Sequence, residues 1–266
     1  MEFLSYIMPR IVVWVLVLVR VTGIFVSAPV FASQQIPAQV RVVVAVALSV
    51  ALAPLATPQT APMPTDVFLF ASAVVREALL GVALGFIPAL VFLALQYAAE
   101  LVDLQVGMGL GGWVDPTFRT QVSALGNFQY LLATVVFLSL DGHHLLLGAL
   151  AGSFRLIPLG AAVFSAAMAQ GVSHLFATMG LFGVQVAAPI LAVLLITDLG
   201  MGILGRAAPQ LNLLIMSPSM KAVLALGALG VALPLLALLM AHLFSGLRTE
   251  LFSLVRFALP GGVNGR

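Results

Sequence analysis

The chain has 266 residues, of which 62% are hydrophobic and 8% charged, with a formal net charge of +2. Soluble domains carry about 25% charged residues, so this composition and a mean hydropathy of +1.18 exclude an ordinary soluble domain and indicate an integral membrane protein, or a subunit almost wholly buried in one. Lys and Arg form no cluster of the kind a nucleic-acid patch needs, and with no cysteine there is neither disulfide nor thiolate chemistry.

Apolar runs of about 20 residues mark the candidate spans. The first is expected over about Ile7 to Phe31 and contains Arg20 and Gly23. Glu2 precedes it and Arg20 interrupts it, so it reads as a membrane helix, not a cleaved signal peptide, which wants a basic start and an unbroken core. Ala28-Pro29 and Ile36-Pro37 punctuate its exit. The second run covers about Val40 to Leu55. Pro54, Pro58, Pro62 and Pro64 then make a linker that no helix should cross. The third run, about Asp66 to Val106, is too long for one simple span and is expected to kink at Pro88. Its Gly81 and Gly85 form a small-xxx-small pair that permits close helix contact.

The stretch from Gln96 to Arg119 concentrates much of the polarity. Gln96, Glu100, Asp103 and Gly107 fall on one helical stripe. The helix should fail at Gly107, Gly109, Gly111 and Gly112, in a loop that also carries Met108, Leu110 and Trp113. Asp115-Pro116 should restart it, with Asp115 as N-cap and Pro116 at the first helical position. Lipid tolerates such a break only where protein or an aqueous cavity covers it.

A fourth segment is expected over about Thr117 to Leu140, then a turn at Asp141-Gly142, then a short helix over about His143 to Phe154. Leu156 to Thr197 carries no charge, and Pro189 should kink it. Asp198 follows, with glycines at 200, 202 and 205. Arg206 to Lys221 reads as a loop holding Pro209, Gln210, Asn212, Met216, Pro218 and Met220. Ala222 to Leu247 is the last span, 26 uncharged residues or about 39 Å of helix, with a bend expected at Pro234. A tail with Arg248, Glu250 and Arg256 ends in a glycine-rich terminus. Arg206 and Lys221 place the last loop in the cytoplasm. The tail then falls on the far side despite Arg248, Arg256 and Arg266, so the charge rule conflicts with itself.

Several signals lead away from chemistry. Gly107 to Gly112 matches G-x-G-x-x-G but follows a helix, whereas the dinucleotide fingerprint follows a strand. His143-His144 are adjacent, so on a regular helix they point about 100° apart and should not converge on a metal. Glu77, Glu100, Asp103 and Asp198 lie in or beside apolar runs, where a charge costs about 3 kcal/mol. They serve either a proton or ion pathway or, as the favoured reading, pairing with Arg20, Arg41, Arg76 or another subunit. Methionines such as Met108 are core filler or a pliable seal. Neither a convergent catalytic set nor a cofactor motif is found, so the chain does not read as an enzyme.

Taken in order and spacing, these pieces resemble the FliR family of the flagellar type III export gate. The resemblance runs from about Arg20 to about Lys221. It rests on Arg20, Gly23 and Pro29; Ile36, Pro37 and Arg41; Glu77, Gly81, Gly85 and Phe86; Asp103, Gln105 and Gly107 with Asp115-Pro116; Gly142-His143-His144; Ser153-Phe154 and Pro158; and Pro209-Gln210-Leu211-Asn212 with Pro218 and Lys221. The Gly-His-His piece favours the flagellar over the injectisome branch. Asp141 stands where Asn is expected, and Ser219 where an aliphatic is usual.

The resemblance implies an all-α, multi-span membrane protein with kinked helices in the bacterial inner membrane, within the flagellar basal body. It implies a FliP-like part over residues 1–160 and a FliQ-like hairpin over 161–257, with the Arg206 to Lys221 loop at its cytoplasmic tip. The partners it implies are FliP, FliQ, FlhB and FlhA, besides lipid and the unfolded flagellar proteins that pass through. It also implies that residues 107–119 plug the channel. The alternatives are an injectisome gate subunit, or a small-molecule or ion transporter using Glu100, Asp103 and Asp198.

Overall fold

A computed structural model describes residues 2–33, 35–56, 66–107, 124–164, 166–208 and 213–258. Among these residues every regular element is a helix. They are α1 (Glu2–Ser27), the single turn α2 (Pro29–Ala32), α3 (Ala38–Leu52) with a 3₁₀ turn (Ala53–Ala56), α4 (Val67–Val106), α5 (Ala124–Ser139), α6 (Gly142–Leu156), α7 (Ala166–Ala207) and α8 (Leu213–Phe257). Five of the described helices are long and apolar enough to cross a membrane, or six if the bent pair α5–α6 counts as one span.

The chain divides into two compact units. The first holds Met1–Leu90, Leu138–Leu175 and Phe244–Arg266; the second holds Val91–Phe137 and Phe176–Leu243. In the first unit the glycine pair of α4 works as expected. A Cβ at Gly23 would sit 2.8 Å from the Val82 backbone nitrogen, and one at Gly81 would overlap the Arg20 carbonyl oxygen. Only glycine lets the α1 and α4 backbones approach this far. Leu16, Val17, Ile24, Leu80, Leu84, Leu146 and Leu150 are buried in this unit. The irregular segment after α6 turns at Gly160 (φ +73°), and its Val163 N–H donates to the Ala258 carbonyl at 3.1 Å, beside the end of α8.

In the second unit Phe92 of α4 meets Tyr130 and Phe137 of α5 with ring centroids 5.4 and 6.0 Å apart. Leu95, Ala98 and Val102 of α4, Val186, Ile190 and Leu194 of α7, and Leu236 and Met240 of α8 are buried here.

The breaks at Pro29 and at Asp141-Gly142 fall where the residues predict them. Pro29 opens α2. Asp141 adopts φ 55° between the end of α5 at Ser139 and the start of α6 at Gly142. The C-terminal third differs. Helix α7 runs through Arg206 to Ala207 and α8 begins at Leu213, so Met216, Pro218, Met220 and Lys221 are helical and the predicted loop is much shorter. Pro218 lies in the second turn of α8, where it forfeits one backbone hydrogen bond without ending the helix. The predicted tail is also helical: Arg248, Glu250 and Arg256 all lie in α8.

Helices α4, α7 and α8 have 40, 42 and 45 residues, or roughly 60–68 Å at 1.5 Å per residue. That is about twice the 30 Å hydrocarbon thickness of a bilayer. Yet they carry apolar side chains outward along much of their length: Leu93 and Leu104 on α4, Ile196, Leu199 and Ile203 on α7, Val223, Val231 and Leu238 on α8. Lipid cannot cover so long an apolar surface on a helix that crosses it once.

Candidate functional site

Two polar clusters interrupt these apolar helices, one in each unit. In the first unit Arg20 of α1 and Glu77 of α4 are both fully buried. Arg20 Nε donates to Glu77 Oε2 at 2.5 Å and Nη2 to Oε1 at 3.0 Å, the two-pronged geometry a planar guanidinium makes with a carboxylate. Nη1 donates to Ser153 Oγ at 3.0 Å, and Nη2 reaches the Ile157 carbonyl at 3.4 Å. The Gly160 N–H donates to Glu77 Oε1 at 2.7 Å. The guanidinium carbon lies 4.4 Å from the Phe154 ring centroid, within cation–π range.

Two buried charges thus hold together α1, α4, α6 and the segment after α6. Each charge is costly to desolvate, and the pair is tolerable only because nearly every polar atom finds a partner. Alternating small and apolar residues bring it about: Gly81 lets α1 close on α4, one turn from Glu77, and Ile157-Pro158 ends α6 so that a carbonyl and an N–H can turn inward.

In the second unit, Lys221 Nζ lies 2.5 Å from Asp198 Oδ1, and Gln105 Nε2 donates to Asp198 Oδ2 at 2.8 Å. Lys221 Nζ also donates to the Gln105 carbonyl at 3.2 Å. A cation at the last carbonyls of a helix is where the macrodipole favours it. Helix α4 ends one residue later. Gly107 has φ +90°, and its N–H donates to the Asp103 carbonyl at 3.0 Å and the Leu104 carbonyl at 3.2 Å. A left-handed residue here is the αL helix stop that glycine provides. The cluster therefore pins the last turn of α4 to α7 and α8 at the point where residues 108–123 begin.

The predicted site residues fare differently. Arg20 and Glu77 pair with each other, a match that the sequence left open. Asp198 finds a lysine, Lys221, which the sequence reading had placed in a loop. Asp103 is buried, but Glu100 is exposed, so the stripe from Gln96 to Gly107 is not uniformly buried. Arg41 is half-buried and binds backbone carbonyls: its Nη2 donates to the Ser33 carbonyl at 2.9 Å and reaches those of Ala32 and Ile36 at 3.4 Å, closing the α2–α3 corner. Gly107 and Arg206 are described, whereas Met108, Gly109, Leu110, Gly111, Gly112, Trp113, Asp115, Pro116, Pro209, Gln210 and Asn212 lie outside the described residues.

The expectation that His143 and His144 diverge is not met. Their ring centroids lie 4.1 Å apart, and His144 Nδ1 is 3.1 Å from Asp141 Oδ1. The 100° rule assumes an established helix, and these are the second and third residues of α6, following the left-handed Asp141. Sequence reasoning also missed the two backbone groups, Ile157 C=O and Gly160 N–H, whose only signal was the helix stop at Pro158.

The profile of "Bacterial export proteins, family 1" matches residues 11–247. The chain belongs to this family. Among curated relatives it is similar to flagellar biosynthetic protein FliR of Pectobacterium carotovorum, at 31% identity over 89% of this chain and 88% of the relative. It is 28% identical to FliR of Escherichia coli K12 over 90% and 89%, and 28% identical to FliR of Bacillus subtilis over 87% and 90%. The surface presentation of antigens protein SpaR of Shigella sonnei matches more narrowly, at 30% over 57% of this chain. The matched span includes both clusters. Family membership, the helical fold and the apolar helices together make the chain a multi-span membrane component of a bacterial export apparatus.

Proposed function

We propose that the chain is a structural subunit of the flagellar type III protein export gate in the inner membrane at the flagellar basal body. It would form part of a channel wall with FliP and FliQ homologues, and work beside FlhB and FlhA homologues. The observation that carries this reading is that α4, α7 and α8, each about twice as long as a bilayer is thick, expose apolar side chains along much of their length. Such surfaces call for protein neighbours as well as lipid, and the similarity to flagellar FliR proteins along nearly the whole chain supplies their kind. That similarity covers much more of the chain than the similarity to SpaR does, which favours the flagellar over the injectisome branch.

Within that gate, residues 107–119 would close the channel and swing aside when unfolded flagellar proteins pass. Gly107 gives the segment its hinge, and the Gln105–Asp198–Lys221 cluster would anchor the helix from which it departs. The division into a FliP-like part (1–160) and a FliQ-like hairpin (161–257) with its tip near Arg206 to Lys221 belongs to this proposal. The chain would have no catalytic role. A transporter would need ionisable groups free to bind and release an ion, whereas Asp198 is already held by Lys221 and Gln105.

Deletion of the gene in the host should abolish secretion of flagellar subunits and swimming, and a plasmid copy should restore both. A deletion strain that still secretes and swims would refute the assignment.

A further inference from the structure

We propose that Asp141, His143 and His144 form a site for a divalent transition-metal ion of the zinc class at the corner between α5 and α6. The proposal stands on geometry at a place the export-gate reading does not use, and it does not depend on that reading. One donor atom from each of the three residues lies within 4.8 Å of the other two. Two imidazoles and one carboxylate are a donor set suited to zinc and its first-row neighbours.

Three features argue for a ligand and not a chance surface cluster. The chain has four histidines and brings two of them into ring contact at 4.1 Å. Asp141 is held in the left-handed region, φ 55°, which returns its carboxylate over the first turn of α6 to meet His144 Nδ1 at 3.1 Å. The Asp141 carboxylate and the His144 ring are thereby brought side by side, beside His143. Finally, His143 Nδ1 is buried and has no hydrogen-bond partner. A buried ring nitrogen without a partner is a costly arrangement that an ion would relieve.

Zinc bound by nitrogen and oxygen at about 2.0–2.2 Å puts its donors about 3.3–3.6 Å apart. The cluster must therefore draw in by about an ångström. The side chains that would move, those of His144 and Asp141, are 71% and 75% exposed and free to rotate. With three protein ligands the fourth position falls to water, so the site is open and exchangeable. A bound ion would tie the residue before α6 to its first turn.

The test uses the full-length protein in detergent, purified on a tag without histidine. Zinc titration followed by calorimetry should give one ion per chain. His143→Ala, His144→Ala and Asp141→Asn should each weaken binding at least about 10-fold, because each removes one of the three ligands, while His174→Ala should not change it. Cobalt added to the wild-type protein should produce a d–d absorption band that zinc displaces, a readout that needs no variant. No stoichiometric zinc and no cobalt band in the wild type would overturn the proposal. So would binding that survives in the His143→Ala/His144→Ala double variant.

Discussion

Replacing Glu77 by Ala removes the counter-charge from a guanidinium that has no access to water. Three donors lose their acceptor at once: Arg20 Nε, Arg20 Nη2 and the Gly160 N–H. Arg20 keeps only Ser153 Oγ, the long contact to the Ile157 carbonyl and the face of Phe154. Leaving one member of a buried pair uncompensated costs about 3–5 kcal/mol, a large share of the roughly 5–15 kcal/mol that holds a domain together.

Removing both charges should be far milder. In Arg20→Met/Glu77→Leu the main buried orphan is the Gly160 N–H, worth about 1–3 kcal/mol, while the Ile157 carbonyl loses only a long 3.4 Å contact. Ser153 Oγ keeps its own bond to the Leu150 carbonyl. Against that stands the desolvation of two ions, which no longer has to be met. The double variant should therefore lie within about 2 kcal/mol of the wild type and at least about 2 kcal/mol above Glu77→Ala. Denaturant titration in detergent, followed by Trp fluorescence, reads the difference, and membrane levels of the chain in cells give a second measure. Loss of less than about 1 kcal/mol in Glu77→Ala would refute the reasoning, because the pair would then be solvated. Equal loss in the single and double variants would also refute it, since packing and not charge would dominate.

Gly81→Val should separate α1 from α4, because even a Cβ overlaps the Arg20 carbonyl oxygen; a loss of about 1–3 kcal/mol or more is expected in the same titration. Lys221→Met should leave the fold intact but loosen the end of α4. The pair with Asp198 is partly exposed, so about 1 kcal/mol is at stake, read as roughly fivefold faster amide exchange over residues 104–107. Replacing the glycines from Gly107 to Gly112 by alanines should stiffen the segment proposed to close the channel and reduce export, measured as secreted flagellar subunits; unchanged motility would count against a moving closure. Deleting that segment should let small ions and solutes leak through the membrane, and normal impermeability would remove its sealing role.

The order of helices was legible because lipid-class composition makes charge and proline the only punctuation. Pro29, Asp141-Gly142 and Gly107 stop helices for local reasons, and local reasons are written in the chain. Pro218 misled because its cost is one hydrogen bond, which the packing of a 45-residue helix absorbs. The basic residues at 248 and 256 read as a tail because charge marks a boundary in lipid, but charge by itself does not end a helix, and α8 continues through them. Of the polar residues, pairing of the buried acids with arginines was legible but not which with which: Glu77 meets Arg20 because Gly81 packs against Gly23, and the sequence does not say which helix the Gly81–Gly85 step meets. The partner of Asp198 could not be read, since Lys221 reaches it only after α7 and α8 fold back on each other within the second unit. The convergence of His143 and His144 depends on the left-handed Asp141, and only glycine and a few polar residues make that conformation readable in advance.

The assignment as an export-gate subunit is tested most directly by co-expressing the tagged chain with and without the neighbouring FliP and FliQ homologues, extracting in detergent and weighing the product by native mass spectrometry. The account predicts a discrete hetero-oligomer that holds a single copy of this chain, and a chain that is unstable without its partners. A stable monomer or homo-oligomer that ignores both would contradict it.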